Sequence, residues 1–262
     1  MCFMKEAFIP VIINKKTTLA IFTGCLLFLP LEAFFMASRP AEDTEQTVAA
    51  SKMTTEKIIK DSVQLDVPLL DQMSEPPLYN GCEVTSLAML LNYCGLPVTK
   101  NELAEAIPKQ PLYDTEGLYG NPHVGFVGDI TGVQPGYFVY AEPVFELAQT
   151  YETDQLEFVN LTGENFSELA YYLSSGSPIW VIITVTYQVT NDMTLWETAD
   201  GDVAVSMNEH SAVITGYDDS FVYLNDPYGQ EVKADKDDFI ASWKQFGSQA
   251  IAVNQTNKSQ EK

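Results

Sequence analysis

The chain has 262 residues, 46% of them hydrophobic, with 14 basic against 36 acidic side chains and a formal net charge of −22. That length supports one domain of roughly 200 residues with an N-terminal appendage, and it buries a core without help from disulfides or metals. The acidity makes nucleic acid and anionic membrane surfaces poor partners for the body, and otherwise reads as solubility or as recognition of a basic substrate.

Lys5, Lys15 and Lys16 precede the apolar run Leu19–Leu31, and small residues follow around Ala33 and Ala37. Residues 1–37 therefore read as a signal peptide or, if uncleaved, as an N-terminal membrane anchor just long enough to span. The lysines on its N-terminal side place the body outside the cytoplasm, either secreted or tethered by this segment. Phe22-Thr23-Gly24-Cys25 resembles a lipoprotein box, but the apolar run continues past Cys25, which argues against lipidation. Residues 38–62 are polar and acidic and read as a linker; 63–255 read as the domain and 256–262 as a polar tail.

Ordered structure is expected from Val63 through Leu70 as an extended segment, followed by a loop to Gly81 stiffened by Pro76-Pro77. Asn80 is placed to cap a helix, with Glu83 three residues on as its capping-box partner. Val84, Leu87, Leu91 and Cys94 form the inward stripe of that helix, and Gly95 stops it. A second helix is expected from Thr99, again with a glutamate, Glu102, three residues later. Residues Pro111–Pro135 are rich in Gly, Tyr and Pro and read as a long irregular loop, a common place for function. Short helices are expected over Pro143–Tyr151 and Phe166–Leu173, and a buried strand over Pro178–Val185. Ser211–Tyr217 pairs with Phe221–Leu224 across Asp218-Asp219-Ser220; a helix marked by Phe239, Trp243 and Phe246 and a strand Ala250–Val253 close the chain. Helices first and an antiparallel sheet second make an α+β arrangement.

The chemistry-bearing residues are few. Cys82 opens the first helix, where unsatisfied N–H groups and the helix dipole favour a thiolate; a buried free cysteine is equally an ordinary packing residue. Cys94 lies twelve positions further along the same helix, about 18 Å at helical rise, too far for a disulfide. A thiol nucleophile needs a base, and the base an orienting group. His210 starts one strand of the hairpin and Asp226 ends the other, so folding about Asp218-Asp219 sets them opposite or nearly opposite on one face. The other reading is a surface histidine beside a turn aspartate. His123 sits in the Gly/Pro loop with no carboxylate placed for it by secondary structure, at the cleft rim at best. Two histidines without ligand spacing give no support to a zinc site, and no Gly-rich loop follows a strand to hold a nucleotide, so neither metal nor cofactor is expected. Trp180, inside an apolar strand, reads as core.

The order Gln72, Asn80-Gly81-Cys82-Glu83-Val84-Thr85-Ser86-Leu87-Ala88-Met89, Glu209-His210-Ser211-Ala212-Val213 and Asn225-Asp226-Pro227 resembles the extracytoplasmic members of cysteine peptidase family 39. These are papain-fold relatives of the bacteriocin-processing, double-glycine peptidases. Gly125–Asp129, and Trp196 with Asp200-Gly201, also resemble that group. The resemblance implies a papain-like domain with the nucleophile in an N-terminal helical part and His and Asp on a C-terminal antiparallel sheet. It implies Cys82 as nucleophile, His210 as general base and acid, Asp226 as orienter and Gln72 as oxyanion donor; from its sequence position alone Gln72 is equally a polar loop residue. The familiar double-glycine peptidases are fused to a transporter, which this chain lacks, and the Cys82-to-His210 interval looks longer. The extra length around Tyr187–Met207 is expected to reshape the cleft, so small-residue specificity does not carry over. The expected function is an exported thiol hydrolase acting on a peptide or protein substrate. The alternatives are an acyltransferase with the same triad and a catalytically silent binding module.

Overall fold

The computed structural model describes residues 57–256. The segment 1–37, most of the linker 38–62 and the tail beyond residue 256 lie outside the described residues. Where the linker is described it is tied to the body: Lys57 Nζ bonds the Glu168 carboxylate and the Lys60 N–H donates to Ser174 Oγ at 3.0 Å.

The elements in chain order are β1 (Val63–Gln64), α1 (Cys82–Tyr93), α2 (Lys100–Ala106), β2 (Lys109–Gln110), β3 (Phe126–Val127), α3 (Ala141–Gln149), β4 (Leu156–Asn160), α4 (Phe166–Ser174), β5 (Ile179–Thr184), β6 (Thr194–Thr198), β7 (Gly201–Val205), β8 (Glu209–Tyr217), β9 (Phe221–Asp226), β10 (Gln230–Asp235), α5 (Lys236–Gln245) and β11 (Ala250–Gln255). The main sheet runs β10-β9-β8-β5-β11-β4, with β1 also on β8, and every pairing in it is antiparallel. This is the α+β arrangement expected. The sheet carries helices on both faces, because β5 sends alternate residues to two cores. Trp180 and Ile182 join the core of α1, α2 and α3, while Ile179, Val181 and Ile183 join that of α4 and α5. A strand buried on both faces reads as a continuous apolar run, which is how β5 was legible.

The second helix begins as the spacing predicts: Thr99 accepts from the Glu102 N–H and the Glu102 side chain accepts from the Thr99 N–H, a complete capping box. The first helix does not. Its N-cap is Gly81, with no side-chain cap. Asn80 donates instead to the Asp129 carbonyl at 2.9 Å, and Glu83 turns into the interior. The reason is tertiary: α1 is buried on all sides from Cys82 to Leu91, so its start is fixed by packing and the cap residues are drawn to other elements.

Four features escaped the periodicity, one being the short parallel β2–β3 pair, whose Phe126–Val127 strand lies in the stretch expected as irregular loop. β4 and β10 are edge strands with largely exposed, weakly alternating residues, and β6–β7 is a hairpin inside the Tyr187–Met207 stretch. That hairpin sets Trp196 against Tyr119, 4.2 Å between ring centroids and nearly parallel, and against Phe138 at 5.3 Å.

Candidate active site

The β8–β9 hairpin is where the backbone places base and orienter. Val213 faces Asn225 and Ile214 faces Leu224, and a bulge at Thr215 shifts the register beyond them. Extending the first register sets Asp226 against Ala212, so His210 and Asp226 are diagonal neighbours on one face, within reach of a ring and a carboxylate. His210 Nε2 and Asp226 Oδ2 are 2.8 Å apart, and both side chains are 4% exposed. The same carboxylate accepts the Tyr187 hydroxyl at 2.5 Å on Oδ2 and the Tyr228 N–H at 2.8 Å on Oδ1. Burial works against the Asp226 charge, but these donors together hold the carboxyl below its usual range. Burial, followed by the Asp226 hydrogen bond, pushes the Tyr187 hydroxyl well up, so it stays a donor. The ring of Tyr228 stacks on His210 at 5.6 Å.

Cys82 and His210 line one pocket of about 230 Å³, together with Gln72, Tyr79, Tyr137, Met207 and Glu209 among others. Glu209 and His210 reach it although successive strand residues point to opposite faces, because the pocket lies at the end of the sheet where β8 begins. The helix start does not produce the expected thiolate. Burial first, then the charges of Glu83 and Glu209, push the Cys82 thiol well above its usual range, while a Ser211 backbone N–H pulls the other way. The thiol donates to Glu83 Oε2 at 3.3 Å, not to His210. A helix terminus offers about half a charge in partial compensation, and two carboxyl groups in a buried space outweigh it.

Gln72 lines the same pocket and is almost wholly buried, held where its backbone N–H donates to the Pro227 carbonyl. Its Nε2 already donates to the carbonyls of Leu78 at 3.2 Å and Tyr79 at 3.3 Å, and its Oε1 has no partner. Cys82, His210 and Gln72 thus line one pocket, with Asp226 joined to it through His210, but the Gln72 amide is turned to the loop rather than free to donate.

His123 lies elsewhere. Its Nδ1 meets Glu142 Oε2 at 2.9 Å, in a separate pocket lined by Asn121, Tyr140 and Asp200. The carboxylate that pairs with it comes from α3, which the chain order did not reveal. Neither histidine belongs to a cluster of metal-ligating side chains among the described residues. Cys82 and Cys94 are both free, and burial raises the Cys94 thiol to about 11. Trp180 is core, its Nε1 donating to the Glu83 carbonyl at 3.0 Å.

Four residues at the site went unread in the sequence. Tyr187 sits at φ 59° in the turn after β5, and nothing local marks a tyrosine there. Tyr228 follows the hairpin, Glu209 precedes the histidine on a strand, and Glu83 has the spacing of a cap, which hides its place in the site. A glutamate beside each of two chemistry-bearing residues, both on buried elements, was the available signal.

Comparisons with known proteins bear on the family and the fold. The profile of the Peptidase_C39 like family matches residues 64–251. YvpB, an uncharacterized protein of Bacillus subtilis strain 168, is 46% identical over 205 residues, 78% of this chain and 81% of that protein. A crystal structure from Bacillus anthracis described as a C39-like peptidase is 40% identical, covers 76% of this chain and 100% of its own, and superposes with a TM-score of 0.71.

Proposed function

The chain belongs to the Peptidase_C39 like family, and on that premise we propose that it is a thiol hydrolase which opens a peptide or amide bond through Cys82, His210 and Asp226. The observation that carries this reading is the buried His210–Asp226 hydrogen bond at the wall of the pocket that Cys82 lines. Nε2 of the ring is committed to Asp226, which leaves Nδ1 to take the thiol proton as sulfur attacks the carbonyl carbon. The oxyanion would be met by the Cys82 N–H, which has no acceptor within the helix. Gln72 would join it once its amide turns from the Leu78 and Tyr79 carbonyls. The protonated imidazole then gives its proton to the leaving amine as the C–N bond breaks. Water hydrolyses the thioester, returning the acid and the thiol. If an amine takes the place of that water, the same residues perform acyl transfer.

A second reading, a catalytically silent binding module, is favoured by two observations: the thiol bonds Glu83, and the Gln72 Nε2 is occupied. Quenched fluorescent peptides of varied sequence separate the two. Cleavage by the wild type that disappears in Cys82→Ala and in His210→Ala supports the hydrolase; cleavage that survives in Cys82→Ala overturns it. Binding without cleavage in any form supports the module. Added amine diverting the product to an amide marks acyl transfer. We further propose an extracytoplasmic site of action, supported by the lysines before the apolar run Leu19–Leu31. Protease accessibility of the full chain on intact cells is the test, and protection until lysis sinks the proposal.

A further inference from the structure

Beside the proposed nucleophile stands a feature which that reaction does not use. The thiol of Cys82 and the carboxyl groups of Glu83 and Glu209 each bring a polar atom within 4.8 Å of the others. Glu83 is closed off from solvent and held from two sides. Its Oε1 accepts the Val139 N–H at 2.8 Å and its Oε2 accepts the Cys82 thiol at 3.3 Å. Glu209 Oε1 is buried and accepts from nothing. The other ionisable groups nearby are His210 on β8, Tyr140 at the head of α3, Tyr228 after β9, and Tyr79 and Tyr137 on the loops before α1 and α3. The His210 ring is turned to Asp226, the Tyr140 hydroxyl donates to the Ala204 carbonyl at 2.9 Å, and burial holds Tyr140 and Tyr228 in the neutral form. Neither glutamate forms an ion pair with any basic side chain among the described residues. Two like charges this close, without a counter-ion and with Glu83 closed off from solvent, disfavour joint ionisation.

We infer that Glu83 and Glu209 keep at least one carboxyl proton between them at neutral pH and so hold Cys82 as the neutral thiol, which makes them positioning residues for the nucleophile. The inference rests on reading Cys82 as the nucleophile. A thiolate there would add a negative charge to a buried space that already holds up to one. Burial raises the Glu83 carboxyl to about 7, and burial followed by the Glu83 charge raises the Glu209 carboxyl well above its usual range. The chemistry stays balanced. The proton leaves sulfur for His210 Nδ1 only as the sulfur electron pair enters the S–C bond, so no free thiolate is stored between turnovers. The consequence is a resting thiol that reacts slowly with alkylating agents and oxidants although it opens a helix, since the thiolate is the reactive form.

The test is the pH dependence of iodoacetamide alkylation in the full chain carrying Cys94→Ala. The reaction midpoint is expected above the free-thiol value of about 8.5. Glu83→Gln and Glu209→Gln combined remove the negative charge and are expected to lower it by a unit or more, about tenfold in thiolate at a fixed lower pH. A wild-type midpoint at or below the free value, or one unmoved in a folded double variant, overturns the inference. Should the double variant fail to fold, infrared spectroscopy of the wild type decides. A protonated-carboxyl C=O band that persists at neutral pH is expected, and its absence overturns the proposal. Because the readout is alkylation, failure to cleave any peptide would sink the hydrolase reading alone.

Discussion

Asp226 takes three donors, from His210, Tyr187 and Tyr228, which divide two tasks between them. The first fixes the imidazole tautomer; the other two hold the carboxylate still and keep it charged. Asp226→Ala is therefore expected to lower kcat by about 10²–10⁴-fold with little change in KM, the range for losing a positioned acid–base partner. Tyr187→Phe removes one charge-assisted bond and leaves the ring in place. Its effect should be about tenfold, with the melting temperature nearly unchanged and the acid limb of the pH–rate profile moved upward as the carboxyl loses a donor. An Asp226→Ala variant cleaving at the wild-type rate would remove the orienter from the proposed mechanism. Trp180 illustrates a structural role near the same residues. Trp180→Phe leaves the Glu83 carbonyl without its buried donor and is expected to cost about 1–3 kcal/mol in denaturant unfolding.

At the level of elements, the pocket depends on segments that carry no chemistry. The hairpin β6–β7 presses Trp196 on Tyr119 and Phe138, and Phe138 is part of the pocket wall. Trp196→Ala is expected to destabilise by about 3–5 kcal/mol and to raise KM, measured by chemical denaturation and steady-state kinetics. The edge of β8 beyond β5 is taken up by β1, and the approach is close: a Cβ on Gly216 would lie 2.1 Å from the Val63 carbonyl oxygen. Gly216→Ala should therefore detach β1, and hydrogen exchange at Val63–Leu65 reads this directly. Protection as in the wild type would show that the strand can shift aside.

The whole molecule carries an uneven pH response. Asp226 has a lowered carboxyl, so its stabilising contribution is present above the unfolded value of about 3.9 and is lost as the pH falls through its lower folded value. Glu83 runs the other way. With its folded value raised to about 7 against an unfolded value near about 4.3, the native state binds more protons across that window. The Glu83 contribution to stability then falls as pH rises from about 4 to about 7, by up to about 1.4 kcal/mol per pH unit. Urea unfolding between about pH 5 and about pH 8 should show this decline, and Glu83→Gln should flatten it. A wild-type curve rising through that range would contradict the assignment. The net charge of −22 adds self-repulsion in the same direction, which the variant leaves in place.

Local physics decided what the sequence alone could determine. Hydrophobic periodicity and the Thr99–Glu102 capping box set α2, the continuous apolar run set β5, and hairpin arithmetic brought His210 to Asp226 with no other information. The Cys82, His210, Asp226 and Gln72 order was enough to identify the family. What only the tertiary structure decided are properties of elements distant in sequence. The Gly81 cap and the inward turn of Glu83 follow from burying α1 on every side. The pairing of His123 with Glu142 depends on where α3 lands, and Tyr187 reaches Asp226 only through the turn after β5. The protonation of Cys82 belongs to this second group. A helix start favours a thiolate locally, but desolvation and two carboxyl groups converging from α1 and β8 reverse the balance, and no stretch of sequence contains that convergence.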